Sequence, residues 1–259
     1  MIQYDQGCAS RTGNRAMNQD RGCIVQHENS LMIIVADGMG GHQGGELAAQ
    51  QAMDCFIEHF RSQQTPIANP SLFLEMTMRE AHHKISKLGT NEDPPYYPRT
   101  TCVVCLIQEN RAYWIHLGDS RLYVLRDGDI YKRTRDHTYI EELYQNEVIT
   151  EEEMLTHPMR NYVTSCLGGP NDMPPATAGG TRTLENDDII LLCSDGMWGA
   201  INVEDIVKLS GMNLETAISR MTEEAERASH PHSDNVTLMG IKVTQTESFS
   251  DGDTQEIVA

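Results

Sequence analysis

The chain has 259 residues, 29.0 kDa, 39% hydrophobic side chains and a mean hydropathy of -0.45, which suits one large domain or two small ones with a very polar surface. Its formal net charge of -18 is the opposite of the basic footprint that nucleic acid requires. No apolar run approaches the ~20 residues that span a bilayer, and the N-terminus lacks a basic-then-apolar signal segment, so a soluble cytoplasmic protein is expected, with neither nucleic acid nor membrane as partner.

Residues 1–13 alternate and close in a Thr12-Gly13 turn, which predicts an edge strand. Residues 22–26 and 31–36 flank the polar turn His27-Glu28-Asn29-Ser30 and predict a β-hairpin. Its second arm, Leu31 to Ala36, is unbroken apolar sequence of the length and composition of a buried strand. The run stops at Asp37-Gly38, and a glycine-rich turn carrying His42 follows. A carboxylate at a strand mouth, next to backbone that only glycine tolerates, is a common way to hold a metal or phosphate, although Asp-Gly is also a common plain turn. Ala49, Met53, Phe56, Ile57 and Phe60 follow helical spacing from Glu46 onward. After a loop with Pro66 and Pro70, Ser71 is predicted to cap a second helix striped by Leu74, Met78, Ala81, Ile85 and Leu88 and ended by Gly89. His82 and His83 within it are adjacent and share no face, which speaks against a ligand pair.

Residues 101–108, 112–117 and 121–126 read as strands with turns at Glu109-Asn110, Gly118-Asp119-Ser120 and Asp127-Gly128, and predict a meander. The seven cysteines are odd in number and mostly lie in apolar segments, which predicts reduced, buried thiols. Cys102 and Cys105, spaced like a CxxC, sit on one strand and point to opposite faces, so they do not share a metal. Residues 134–176 are polar, with short helical patterns and a capping box at Thr150–Glu153, and predict an insertion lying over a site as a lid or binding loop. Asp188 to Ser194 is a second buried strand that ends in Asp195-Gly196. Asn202 caps a short helix, a longer one is striped by Leu214, Ala217, Ile218, Met221, Ala225 and Ala228, and Asp234-Asn235 opens a last strand. Residues 244–259 have the composition of a disordered acidic tail.

Asp20, Asp37, Asp119, Asp195 and Asp234 each stand at the edge of a strand-like run, beside a turn or small residue. Either each merely caps its turn, or strand ends bring them together as an all-oxygen site suited to Mg²⁺ or Mn²⁺. Two such ions about 3.5–4 Å apart would bridge a water, lower its pKa and clamp a phosphoryl group. Arg15, five residues before Asp20, supplies a guanidinium fork that matches phosphate oxygens.

Together the motifs stop being generic. Arg15-x-x-Asn18-Gln19-Asp20 and VADGMGGHQGGE at 35–46 are followed by Thr100-Thr101, HLGDSRLYVLRDG at 116–128 and DH at 136–137. HPMRNYVTSCLGG at 157–169, LLCSDGMWGAI at 191–201 and DNVTLMGI at 234–241 complete the series. In content and order these blocks resemble the metal-dependent Ser/Thr protein phosphatases of type 2C (PPM family), in the compact bacterial branch, over roughly residues 3–243. The resemblance implies an α+β fold, a four-layer α/β/β/α sandwich of two antiparallel sheets flanked by helices, with residues 1–243 as the catalytic domain and 134–176 as its flap. It implies that Asp37 bridges two Mn²⁺ or Mg²⁺ ions, with the Gly38 carbonyl, Asp195 and Asp234 on the first and Asp20 in or near the shell of the second. Asp119 is the position associated with a third, weaker ion, and Arg15 with the substrate phosphate. The activity implied is hydrolysis of phosphoserine and phosphothreonine in proteins by a metal-bound hydroxide without a phosphoenzyme, opposing a bacterial Ser/Thr kinase. The chain departs from the family at Arg99, where many relatives have glycine, and at Met39, where eukaryotic members have a histidine suspected as general acid. His42, three residues on, a metal-bound water and His137 are the remaining candidates for that role. The alternative is a non-catalytic pseudophosphatase that binds a kinase or regulator, whose signature would be loss of the core aspartates.

Overall fold

The computed structural model describes residues 3–39, 44–93 and 95–245. His42 and most of the predicted tail, residues 246–259, lie outside the described residues. The chain begins with β1 (Gln3–Arg11), β2 (Asp20–His27) and β3 (Ser30–Asp37), then α1 (Gly45–Ser62) and α2 (Pro70–Ser86). Next come β4 (Arg99–Thr100), β5 (Cys102–Gln108), β6 (Arg111–Leu117), β7 (Arg121–Arg126) and β8 (Asp129–Arg133). The segment after β8 holds α3 (Tyr139–Gln145), α4 (Glu151–Thr156), β9 (Leu167–Gly168) and β10 (Thr177–Thr183). The last part is β11 (Ile189–Cys193), α5 (Asp195–Trp198), α6 (Val203–Val207), α7 (Leu214–Ala228) and β12 (Val236–Gln245).

Ten strands form two five-stranded antiparallel sheets, ordered β1-β12-β11-β7-β8 and β10-β6-β5-β3-β2. Apolar side chains fill three layers: between α1/α2 and the second sheet, between the sheets, and between the first sheet and α5–α7. This is the four-layer α/β/β/α sandwich. It explains the unbroken apolar runs, because a strand buried on both faces has no polar side. In β3, Leu31, Ile33 and Val35 face the opposite sheet, whereas Met32, Ile34 and Ala36 face the helices. In β11, Ile190 and Leu192 point inward, and Ile189, Leu191 and Cys193 point toward α7. Burying each of the Leu, Ile, Val and Met side chains among them contributes about 1.5–3 kcal/mol. Cys102 and Cys105 do lie on opposite faces of β5, and the described chain holds all seven cysteines as free thiols.

Some local expectations are corrected. Asn69, not Ser71, caps α2: its side-chain oxygen accepts the Leu72 N–H at 3.1 Å, and Pro70 takes the first helical position. Proline is suited to that place, since its φ is already helical and its missing N–H would have had no partner. The predicted meander is broken at 118–120, where the chain crosses from β6 in one sheet to β7 in the other. Asp195-Gly196, where the second buried strand is expected to end, opens α5. The stripe of α7 stops at Ala225, and Ala228 is exposed. β10 has no counterpart among the predicted strands. It is an edge strand of Thr, Ala, Gly and Arg, and at Gly179 an added Cβ would lie 1.6 Å from the Trp114 indole nitrogen.

The polar segment 134–176 carries two short helices and the expected capping box, with Thr150 and Glu153 bonding reciprocally. It is tied down at several points. The Thr164 N–H donates to the His137 carbonyl at 2.8 Å, and the Tyr139 N–H to the Tyr162 carbonyl at 3.0 Å. Buried His82 on α2 accepts the Gly168 N–H at Nδ1 and places Nε2 3.0 Å from the Asn171 carbonyl, so it anchors the end of this segment. No helix among the described residues is long and apolar enough to cross a membrane.

Candidate active site

The antiparallel register brings five aspartates to one end of the sandwich. β2 begins there and β3 ends there, with Asp20 directly opposite Asp37. β11 also ends there and β12 begins there, so Asp195 follows one strand and Asp234 stands two residues before the other. Asp119 lies in the crossover between the sheets, two residues before Arg121, which pairs with Cys193. Asp20 and Asp119 are buried, each 3% exposed, while Asp37, Asp195 and Asp234 are half-buried.

Crowding shows in their protonation. Burial first, then the charges of Asp20, Asp195, Asp119 and Asp234, push the Asp37 carboxyl well above the usual carboxylate range. Asp195 is pushed up to about 6 by burial, then by Asp234 and Asp20. Asp119 is raised well above its ordinary value by burial and by Asp195 and Asp136, against the pull of Arg121. Burial also raises Asp20, opposed by hydrogen bonds from Thr237 and Ser194. Asp20 Oδ2 accepts from the Ser194 hydroxyl at 2.7 Å, but its buried Oδ1 has no hydrogen-bond partner. An unpaired buried carboxylate oxygen is costly, and a bound cation would remove that cost. The donors are carboxylate oxygens with the Gly38 backbone beside them, a set that fits a hard cation such as Mg²⁺ or Mn²⁺. Arg15 stands at the rim, its guanidinium donating to Asp234 Oδ2 at 2.7 Å with the side chain half-exposed.

Residues 9–235 match the family model described as protein phosphatase 2C. The chain belongs to the protein phosphatase 2C family. It is 30% identical over 240 residues to protein phosphatase PhpP of Streptococcus pneumoniae, covering 90% of this chain and 95% of that protein. It is 32% identical to the Ser/Thr protein phosphatase PstP of Mycobacterium tuberculosis across 94% of this chain, which spans 47% of the length of PstP. A crystal structure of the Mycobacterium tuberculosis phosphatase PstP/Ppp superposes with a TM-score of 0.83 at 28% identity, covering 95% of this chain and 100% of that one. A structure of the PstP catalytic domain in complex with two manganese ions superposes with a TM-score of 0.79 at 27% identity, covering 93% and 99%. The chain is thus a Ser/Thr protein phosphatase of a metal-dependent type.

Within this phosphatase, residues that looked like mere neighbours of the aspartates hold them in place. The Asp37 carbonyl accepts from Thr100 Oγ1 at 2.8 Å and from the Thr101 N–H at 2.9 Å. The Asp37 N–H donates to Thr101 Oγ1 at 3.1 Å, and that hydroxyl also lies 2.7 Å from Ser120 Oγ. Asn235 fastens the loop that carries Arg15: its Nδ2 donates to the Thr12 and Met17 carbonyls at 2.9 and 3.0 Å, and its Oδ1 accepts the Gln19 N–H at 2.8 Å. Behind Asp119, the Trp198 indole donates to the Asp119 carbonyl at 2.9 Å, and the Arg121 guanidinium lies 3.6 Å over the Trp198 ring. Arg121 is held in turn by two bonds to Asp136, at 2.9 and 2.7 Å.

His137 is placed one layer back. Its Nδ1 accepts the Gly118 N–H at 3.2 Å, so in the neutral ring Nε2–H faces Thr177 Oγ1 at 2.8 Å. Burial, then the stacked His116 at 4.7 Å, push it down to about 4. With both nitrogens engaged, His137 serves to join the Asp119 crossover to β10. The supporting roles of Ser194, Thr237 and Trp198 are not legible in the sequence, because their partners are distant in it. The only sequence signal they carry is membership of the blocks around Asp195 and Asp234.

Proposed function

We propose that this phosphatase hydrolyses phosphoserine and phosphothreonine in proteins with two Mn²⁺ or Mg²⁺ ions held at the carboxylate end of the sandwich. The observation that carries the reading is the carboxylate cluster itself, in which buried Asp20 Oδ1 lacks a partner and Asp37 is raised by burial and then by four neighbouring aspartates. Asp37 would bridge the ions, with the Gly38 carbonyl, Asp195 and Asp234 on one side, Asp20 on the other, and Asp119 offering a third, weaker position. Bound there, the ions supply an acidified water and neutralise charge on the phosphoryl oxygens.

The chain's own residues do the positioning. Arg15, at the rim and half-exposed, exchanges Asp234 for a phosphate oxygen when substrate arrives, which its fork geometry suits. Thr100 and Thr101 fix the backbone of Asp37, and Asn235 fixes the loop bearing Arg15. Proton delivery to the leaving hydroxyl is assigned to His42 or to water, since both His137 nitrogens are engaged. The segment 134–176 is assigned as a flap beside the site, and the reaction opposes that of a Ser/Thr kinase in the cytoplasm.

The test is turnover of a phosphothreonine peptide by purified protein with Mn²⁺, with and without EDTA. Activity confined to the divalent cation is expected, and activity that survives thorough chelation would sink the metal reading. Absence of turnover with any divalent cation would leave the binding-module alternative.

A further inference from the structure

We propose that the groove between α1 and α2 holds a second kind of metal site, one for a borderline-soft divalent cation of the zinc type, separate from the carboxylate cluster. Cys55 and His59 are four residues apart on α1 and therefore share a face, and Glu80 meets them from α2. One ligand atom from each (the Cys55 sulfur, a His59 ring nitrogen and a Glu80 carboxylate oxygen) lies within 4.8 Å of the other two. His59 Nε2 is 3.0 Å from Glu80 Oε2. Donors around a tetrahedral zinc with bonds of about 2.0–2.3 Å sit roughly 3.3–3.8 Å apart, so the histidine and carboxylate are already near their places and the sulfur closes by a small shift. A thiolate, an imidazole and a carboxylate are a donor set zinc accepts, whereas Mg²⁺ prefers oxygen alone. Three protein ligands leave a fourth position, and the groove beside it is a cavity of about 410 Å³ lined by His59, Phe73, Thr77 and Glu80 among others.

The place is one that a cation already occupies. Lys84 Nζ lies 3.1 Å from Glu80 Oε1 and 3.6 Å from Glu58 Oε2. Zinc entering the groove forms a bond to the Cys55 sulfur, releases the thiol proton to solvent, and displaces the Lys84 ammonium from Glu80. The bland alternative is a buried cysteine packed 4.0 Å from the Thr77 carbonyl beneath a surface His-Glu-Lys chain. That alternative gives the sulfur no part in binding a cation, which makes the two readings separable. Cys55 stands ten residues into α1 from Gly45, about 15 Å along the helix, so loading of the two metal sites can be followed independently.

The experiment titrates full-length protein with Co²⁺, a spectroscopic substitute for zinc, in the presence of excess Mg²⁺ to fill the carboxylate cluster. One equivalent is expected to bind with a thiolate-to-cobalt charge-transfer band, which Zn²⁺ then abolishes by displacement. Cys55→Ala should remove the band while keeping Mn²⁺-dependent phosphatase activity, which shows that the variant folds. His59→Ala should weaken Co²⁺ binding by about tenfold or more, and Lys84→Met, lacking the competing ammonium, should tighten it. The proposal is overturned if wild-type protein shows no charge-transfer band, if the band persists in Cys55→Ala, or if His59→Ala and Glu80→Gln leave the affinity unchanged.

Discussion

Two strands of this sandwich end alike in sequence, yet the backbone leaves them in different ways. β3 runs into Ala36-Asp37-Gly38 and β11 into Ser194-Asp195-Gly196, each after an apolar run buried on both faces. Past Asp37 the chain stays extended, with Gly38 bridging Thr100 and its N–H donating to the Gln19 carbonyl. Past Asp195 it coils at once, and the Asp195 carbonyl accepts the Gly199 N–H at 2.8 Å. Asp37 is therefore held by residues far away in sequence, Thr100 and Thr101, whereas Asp195 is held by its own helical turn. The same dipeptide delivers a carboxylate to the site from either sheet, by long-range restraint in one case and local restraint in the other.

The largest effect should come from removing either charge. Asp37→Asn and Asp195→Asn are each expected to lower kcat by about 10³-fold or more, the scale of losing several kcal/mol of cation-assisted stabilisation. In EDTA both variants should melt at a higher temperature than wild type, because each removes a carboxylate whose neighbours repel it. A lower melting temperature in EDTA would mean that the cluster is not under like-charge stress.

Next come the two glycines, which share a sequence context but meet different walls. A Cβ at Gly38 would lie 2.3 Å from the Gly45 carbonyl oxygen, and one at Gly196 would lie 2.1 Å from the Asn235 carbonyl oxygen. Both contacts are with backbone that cannot rotate away, so Gly38→Ala and Gly196→Ala should each cost about 1–3 kcal/mol, read as a lower urea midpoint. Equal stability in either variant would show that the neighbouring backbone yields.

These two strands also show why parts of the molecule could be read in the sequence. β3 and β11 announce themselves because double burial excludes polar residues, and α1, α2 and α7 do so because one buried face imposes a 3.6-residue period. β10 does not, since it lies at a sheet edge and Gly179 is dictated by Trp114 rather than by any alternation. The crossover at 118–120 is hidden for another reason: a turn between two strands looks the same whether the second strand pairs with the first or joins the other sheet. The five aspartates are legible as a set by their shared place at strand ends. That Ser194 serves Asp20, or that Asn235 ties down the Arg15 loop, depends on register, which no local pattern encodes.

An effect no larger should separate long-range from local restraint. Thr101→Val leaves the Asp37 N–H and Ser120 Oγ without the shared hydroxyl, and an unsatisfied buried group costs about 1–3 kcal/mol. The Mn²⁺ needed for half-maximal activity should rise as Asp37 loosens. Asp195 has no comparable remote partner among the described backbone hydrogen bonds, so a substitution as distant from it should leave metal demand unchanged. Wild-type metal dependence in Thr101→Val would remove the distinction between the two strand ends.

The smallest effect is electrostatic and has a definite sign. In metal-free protein Asp195 titrates near 6, above its ordinary value of 3.8, so between those values the folded state binds more protons than the unfolded chain. Its stability contribution is therefore present at low pH and lost as pH rises through about 6. His137, pushed down to about 4, acts in the opposite direction by weakening the fold as pH falls below about 6.5. Comparing wild type with Asp195→Asn in EDTA cancels the histidine, which both proteins share. Because Asp195 is only half-buried, the excess loss of melting temperature in wild type between pH 5 and pH 7 should be modest, about 2–4 °C, as roughly 1 kcal/mol produces in a domain of this size. Saturating Mn²⁺ should abolish that difference in slope by replacing protons with cation charge. Identical slopes for the two proteins in EDTA would place the strain of the cluster on Asp37 and Asp119 rather than on the strand end that opens a helix.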